Sequence, residues 1–185
     1  MELQTPTTLD DLQGILNYGN YTFKVEPFGD TDARQVIIGP GAYMQAPDDY
    51  DPERPVVGQL LFHNDIASAQ GQEIDPDLDT LELLITLPFE VPEHKDRDLF
   101  QLMTIFNNLV PLGAFTINTQ RRVYYRYKWQ IFQRDVSGLA LLEILSQAYF
   151  FVDRLGYKFE SLATGKQSLA ALMQEKIELL PATTT

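Results

Sequence analysis

The chain contains no cysteine. That absence removes disulfides, zinc–thiolate centres, iron–sulfur clusters and thiol nucleophiles together. Positive charge is scarce as well: 14 Lys and Arg stand against 26 Asp and Glu, a formal charge of −12. Phosphate neutralisation needs a basic surface, so nucleic acid is not an expected partner. The same charge argues against docking on an anionic membrane leaflet. No apolar run approaches the ~20 residues that span a bilayer. Met1–Leu16 has neither the basic start nor the apolar middle of a secretory signal. The expectation is a soluble protein with a cytoplasmic location.

Catalytic patterns are missing too. Histidine is limited to His63 and His94, without the HxxxH or HxH spacing of a metal or acid–base pair. Ser137-Gly138 lacks the preceding glycine of a GxSxG elbow. Gly39-Pro40-Gly41 is not followed by the GK[ST] of a phosphate loop, and Pro40 removes an N–H that such a loop uses. Asp75, Asp77 and Asp79 have the spacing of the first three ligands of a calcium loop. The sixth and twelfth positions, where glycine and glutamate are required, hold Thr80 and Thr86. A solvated loop is the simpler reading there, as it is for Asp48, Asp49 and Asp51 among Pro47, Pro52 and Pro55. No catalytic residue, metal ligand or cofactor is expected, and the chain reads as a non-enzyme. Scattered acids such as Asp65 or Glu82 are the weakest basis for the opposite view.

Apolar residues make up 44% of the 185, enough for the core of one domain. Thr8 caps a first helix, with Asp10 and Asp11 in its first turn and Leu9, Leu12, Ile15 and Leu16 on one face. Tyr21–Glu26 alternates as a strand, and Arg34–Ile38 and Val56–His63 read as further strands. Pro47–Pro55 and Asn64–Asp79 read as loops. Thr80–Phe89 is apolar enough for a central strand. A helix is expected from about Lys95 to Val110, ended by Pro111–Gly113. A hairpin follows: Ala114–Asn118, then Arg121–Phe132. Ser137 caps a long helix with Leu139, Leu142, Leu145, Ala148, Tyr149, Val152 and Leu155 at helical spacing, which Gly156 is placed to kink or stop. A short helix from about Lys166 to Ile177 and a frayed end complete the chain.

This predicts an α+β fold: an antiparallel sheet packed against helices, in the order helix, three or four strands, helix, β-hairpin, long helix, plus a short C-terminal helix. Residues 1–163 form a single domain, and residues 164–185 a C-terminal helix and tail. That order, and the stretch from Leu99 through Asn107-Asn108, Phe115-Thr116-Ile117 and Val123-Tyr124-Tyr125-Arg126 to Leu145, resembles the YbjN-like proteins and the type III secretion chaperones over about residues 8–155. The resemblance implies homodimerisation and non-enzymatic protein binding, as a chaperone or adaptor. The long loops and the added C-terminal helix depart from it, and the secretion role itself does not carry over.

One local feature stands out. Residues 119–134 hold five cations (Arg121, Arg122, Arg126, Lys128, Arg134) and no acid, whereas residues 26–100 hold seventeen acids and four bases. On an extended strand Arg122, Tyr124, Arg126 and Lys128 project together, and Val123, Tyr125, Tyr127, Trp129 and Ile131 share the opposite, core-facing side. Arg and Tyr are enriched at protein-binding hot spots. The stripe can receive an acidic partner or an acidic surface of a dimer mate; alternatively its cations pair with the chain's own carboxylates across neighbouring strands. Tyr149, Phe150 and Phe151 are consecutive and cannot all share one helix face. Phe150 is therefore a further candidate contact, with the C-terminal helix or with a second subunit. The alternative function is a small-molecule-binding or regulatory domain with a pocket between sheet and helices.

Overall fold

The structure, a computed structural model, describes residues 5–39 and 56–175. Helix α1 spans Leu9–Tyr18 and starts in a capping box. The Asp11 N–H donates to Thr8 Oγ1 at 3.2 Å, and the Thr8 N–H donates to Asp11 Oδ2 at 2.8 Å. The two side chains thus satisfy donors that a helix end leaves open. Strands β1 (Phe23–Pro27), β2 (Arg34–Ile38) and β3 (Val57–Phe62) follow, then α2 (His63–Ala69) and the thirteen-residue β4 (Leu78–Glu90). A 3₁₀ turn at Glu93–Lys95 leads into α3 (Asp96–Asn107). Strands β5 (Ala114–Ile117) and β6 (Arg122–Phe132), α4 (Gly138–Thr164) and α5 (Leu169–Gln174) complete the order.

The six strands form one antiparallel sheet in the order β1-β2-β3-β4-β6-β5. The fold is α+β, as the sequence predicts. Register assigns the faces. Val36, Leu60, Leu83 and Tyr127 lie in one row across the sheet, and Ile38, Gly58, Ile85, Tyr125 and Phe115 in the next. This side packs on a helix layer, with α1 against β2, α4 against β4 and β6, and α3 against β5. Phe106, Phe115 and Phe159 bring their rings together at its centre, with centroids 5.0 and 5.2 Å apart. Gly58 of β3 lies beneath the tip of an α4 side chain. A Cβ there meets the hydroxyl of Tyr149, whose oxygen lies 3.4 Å from the Ile38 carbonyl. Glycine leaves room there for the Tyr149 hydroxyl to reach the sheet backbone. Burial in this contact raises the Tyr149 pKa beyond the usual tyrosine range, with the neighbouring Tyr21 adding to the shift.

Two sequence expectations are corrected. Asn64–Asp79 is not one loop: α2 occupies most of its first half, and β4 begins at Leu78. Phe62, the residue before α2, offers no side-chain cap. Asp79 of β4 supplies one across the fold, accepting the Asn64 N–H at 2.9 Å, the role an N-cap side chain plays within a single segment. Gly156 does not stop α4, which runs 27 residues to a left-handed Gly165. Gly156 is buried with its Cα face against Leu87 of β4, so it serves packing. The Pro47–Pro55 loop and the frayed end at Leu179–Thr185 lie outside the described residues.

Candidate functional site

Strand β6 alternates as its sequence predicts. Val123, Tyr125 and Ile131 are buried on the helix side, with Tyr127 and Trp129 partly buried beside them. Arg122, Tyr124, Arg126 and Lys128 share the far face. Two of its cations are engaged within the chain. Arg122 Nη2 lies 3.6 Å from Glu90, and Arg126 Nε donates to Glu82. Glu82 is only 5% exposed, and its other oxygen lies 2.5 Å from His63 Nε2. Burial pushes the Glu82 pKa upward, but the hydrogen bonds and charges of Arg126 and His63 outweigh it and hold the carboxyl below the ordinary glutamate range. Lys128 is the register partner of Glu82, yet both Glu82 oxygens are taken. Lys128 is exposed and makes no ion pair among the described residues. Phe150 is separate from this group. It lies on α4, in the helix layer, with the Arg154 guanidinium 5.6 Å from its ring centroid. The five predicted residues therefore belong to two surfaces.

The edge of β6 matters more than its far face. Strand β5 pairs with β6 only from Val123 to Arg126. At Gly113 the chain leaves the sheet: its φ is +69°, and a Cβ there sits 2.5 Å from the Arg126 carbonyl oxygen. The left-handed backbone and the close approach both call for glycine. Just before it, the Leu112 carbonyl accepts the Tyr125 hydroxyl, so the chain has turned to the helix side. From Tyr127 to Phe132, β6 has β4 on one flank and, among the described residues, no strand on the other.

Which backbone groups are left over follows from alternation. The Arg122 carbonyl accepts from Asn118 on the β5 side, while the Gln133 N–H donates to Asp77 on the β4 side. Amide groups of successive residues in a strand point in opposite directions. Even-numbered residues of β6 thus point toward the β5 side. The N–H and C=O of Lys128 and Gln130, and the N–H of Phe132, point off the free edge. The Phe132 carbonyl accepts from Asp135. Beside this edge lies a hollow of about 250 Å³ lined by Trp129–Gln133 and Asp135. Phe132 is 63% exposed, next to the exposed Leu78 across the ladder.

A second polar cluster ends the strand. Arg134 Nε donates to Asp79 Oδ2 at 2.7 Å and Nη2 to Asp65 Oδ1 at 2.5 Å, with the guanidinium 4.5 Å from the Phe62 ring centroid. Gln133 and Arg134 both have positive φ, 49° and 54°. The three carboxylates spaced like calcium ligands have separate partners: Asp75 accepts the Asp77 N–H, Asp77 the Gln133 amide, and Asp79 serves Asn64, Thr80 and Arg134. Sequence spacing carried no signal for the His63–Glu82–Arg126 and Asp65–Asp79–Arg134 groups, because their members come from different strands and helices.

One more hollow, of about 800 Å³, lies between α1 and the start of α4, lined by Asp10, Ile15, Tyr18, Ser137, Leu139 and Leu142 among others. Among the described residues no helix is long and apolar enough to cross a membrane.

Comparison with known proteins adds little. No family model matches the chain, and no curated protein does. Among solved structures, an uncharacterized protein from Methanothermobacter thermautotrophicus is similar at 10% identity and a TM-score of 0.45, over 83% of this chain and 97% of that one.

Proposed function

We propose that this chain is a non-catalytic protein-binding domain, an adaptor or chaperone-like module, that receives its partner along β6. The observation that carries the reading is the unpaired edge from Tyr127 to Phe132. Main-chain groups aligned in one direction beside a small hollow are the elements of strand addition, in which backbone bonds supply affinity and flanking side chains supply selectivity. The resemblance to the YbjN-like proteins and secretion chaperones points the same way. The Arg122 and Arg126 charges act mainly inside the chain, so the partner surface is the edge together with Lys128.

The test is differential capture from a lysate of the native host. Gln130→Pro removes an outward N–H and leaves the β4 ladder intact; Lys24→Glu on β1 is the control. A protein retained by the unaltered chain and by Lys24→Glu, but lost with Gln130→Pro at unchanged secondary structure, supports the reading. Equal retention by all three sinks it.

A second reading rests on the hollow between α1 and α4, where Asp10 and Ser137 meet Ile15, Tyr18 and Leu139. A small molecule with one apolar and one polar end fits that lining. This site lies between two helices, not between sheet and helices. A thermal-shift screen checks it: a ligand whose stabilisation vanishes in Leu139→Asp favours this reading.

A further inference from the structure

We infer that the occupant of the free β6 edge is an extended segment of a different protein, about five or six residues long, that alternates acidic with apolar side chains. The inference rests on the strand-addition reading above and specifies the partner of that same edge.

Length follows from the edge. Six residues, Tyr127–Phe132, lack a neighbour on that flank, and an added strand can run no further toward the hairpin because β5 occupies the row from Ala114 onward. Alternation follows from the pleat: successive side chains of an added strand fall on opposite faces. On the helix side they lie beside Tyr127, Trp129 and Ile131, aromatic and β-branched neighbours that favour apolar side chains across a strand pair. On the far face they lie beside Arg126, Lys128 and Gln130. No acid occurs between Glu90 and Asp135 on the strands that border this position, β5 and β6. The nearest carboxylate across the ladder, Glu82, is buried and already held by Arg126 and His63. An incoming carboxylate therefore meets the exposed Lys128 ammonium, which has no ion-pair partner among the described residues.

The charge of −12 elsewhere does not overturn this. Charges more than a Debye length of ~8 Å away are largely screened at physiological salt, while a cross-strand neighbour is about 5 Å away. The same arithmetic disfavours a second copy of this chain. Edge-to-edge pairing brings Lys128 and Arg126 to the junction from both sides and sets two strongly acidic bodies against each other.

Trp129 is the single tryptophan and borders the site, so its emission reports occupancy. The full chain is titrated with three synthetic peptides of about eight residues: alternating Val/Asp, alternating Val/Lys, and Val/Asp with a central proline. Saturable change is expected with Val/Asp, at least tenfold weaker binding with Val/Lys, and none with the proline peptide. Lys128→Glu should invert the preference of the first two. That variant carries the test even where Gln130→Pro fails to fold. Equal affinity for Val/Asp and Val/Lys overturns the acidic specificity. So does a dimer, seen by light scattering, that dissociates in Gln130→Pro, since a second copy is then the occupant. Loss of the captured host protein with Gln130→Pro but not with Lys128→Glu keeps the edge as the site and removes the charge inference alone.

Discussion

Among the described residues the outer flank of β5, the outer flank of β1 and the far half of β6 have no strand paired beside them, and they are finished in three ways. The outer flank of β5 is capped: the Asn107 carboxamide donates to the Phe115 carbonyl at 3.0 Å and accepts the Phe115 N–H at 2.7 Å, which replaces one residue of a missing strand. The outer flank of β1 is short and blunted. The Gly39 N–H bonds the Thr22 carbonyl on the β2 side, so the odd residues point outward, and the third of them is Pro27, which has no N–H. Beside it Lys24 and Glu26 pair with each other at 2.5 Å. The far half of β6 has neither device. It is free of proline, rich in aromatics, and carries an exposed lysine with no ion pair among the described residues. Folded chains usually blunt their edges because a bare one invites pairing with other chains. The contrast between two treated edges and one untreated edge on the same sheet is what the proposed contact at β6 rests on.

The comparison can be broken in several places. The largest effect is expected at Arg134, which pins the end of the bare edge. Arg134→Ala leaves Asp79, 3% exposed, buried without its cation and should cost about 3–5 kcal/mol in urea unfolding. Asn107→Ala uncaps β5 and should cost about 1–3 kcal/mol, the penalty for orphaning buried polar groups. It also creates a second bare edge, so self-association by light scattering should rise. Acid should act through Glu82. Its folded pKa is depressed, so its contribution is complete above the ordinary value of 4.5 and is lost as pH falls through the lower folded value. Stability measured from pH 6 downward should show this loss, and Arg126→Gln should flatten it. The smallest effect is expected at Pro27→Val, within about 0.5 kcal/mol, with partner capture unchanged.

Much of this fold is legible in the chain because its signals are local. The period-two pattern of Val123–Ile131 set the two faces of β6, and the Thr8 and Ser137 caps placed the starts of α1 and α4. What stayed hidden depends on distance along the chain. Helix α2 takes its cap from Asp79, fifteen residues after Asn64, so nothing near His63 announces a helix. Arg134 reaches back 55 and 69 residues to its carboxylates. The stripe of cations was visible, but whether each one faced a partner or an internal acid depended on the β4 register. That register set Glu90 opposite Arg122 and Glu82 opposite Lys128, but Arg126 takes Glu82 from the diagonal position and leaves Lys128 without an ion pair among the described residues. The bare edge was least visible of all. It exists because β5 begins late, and Gly113 reads in sequence only as the residue that ends a helix.

That late start divides β6 by the fate of its amide protons. In the half covered by β5, the N–H groups of Tyr124 and Arg126 point to β5 and that of Tyr125 to β4. Beyond Arg126 the N–H groups of Tyr127, Trp129 and Ile131 still point into the ladder with β4, while those of Lys128, Gln130 and Phe132 face outward. Protons on adjacent residues of one straight strand are then released by different events: the even ones by contact with water, the odd ones only when the sheet itself opens.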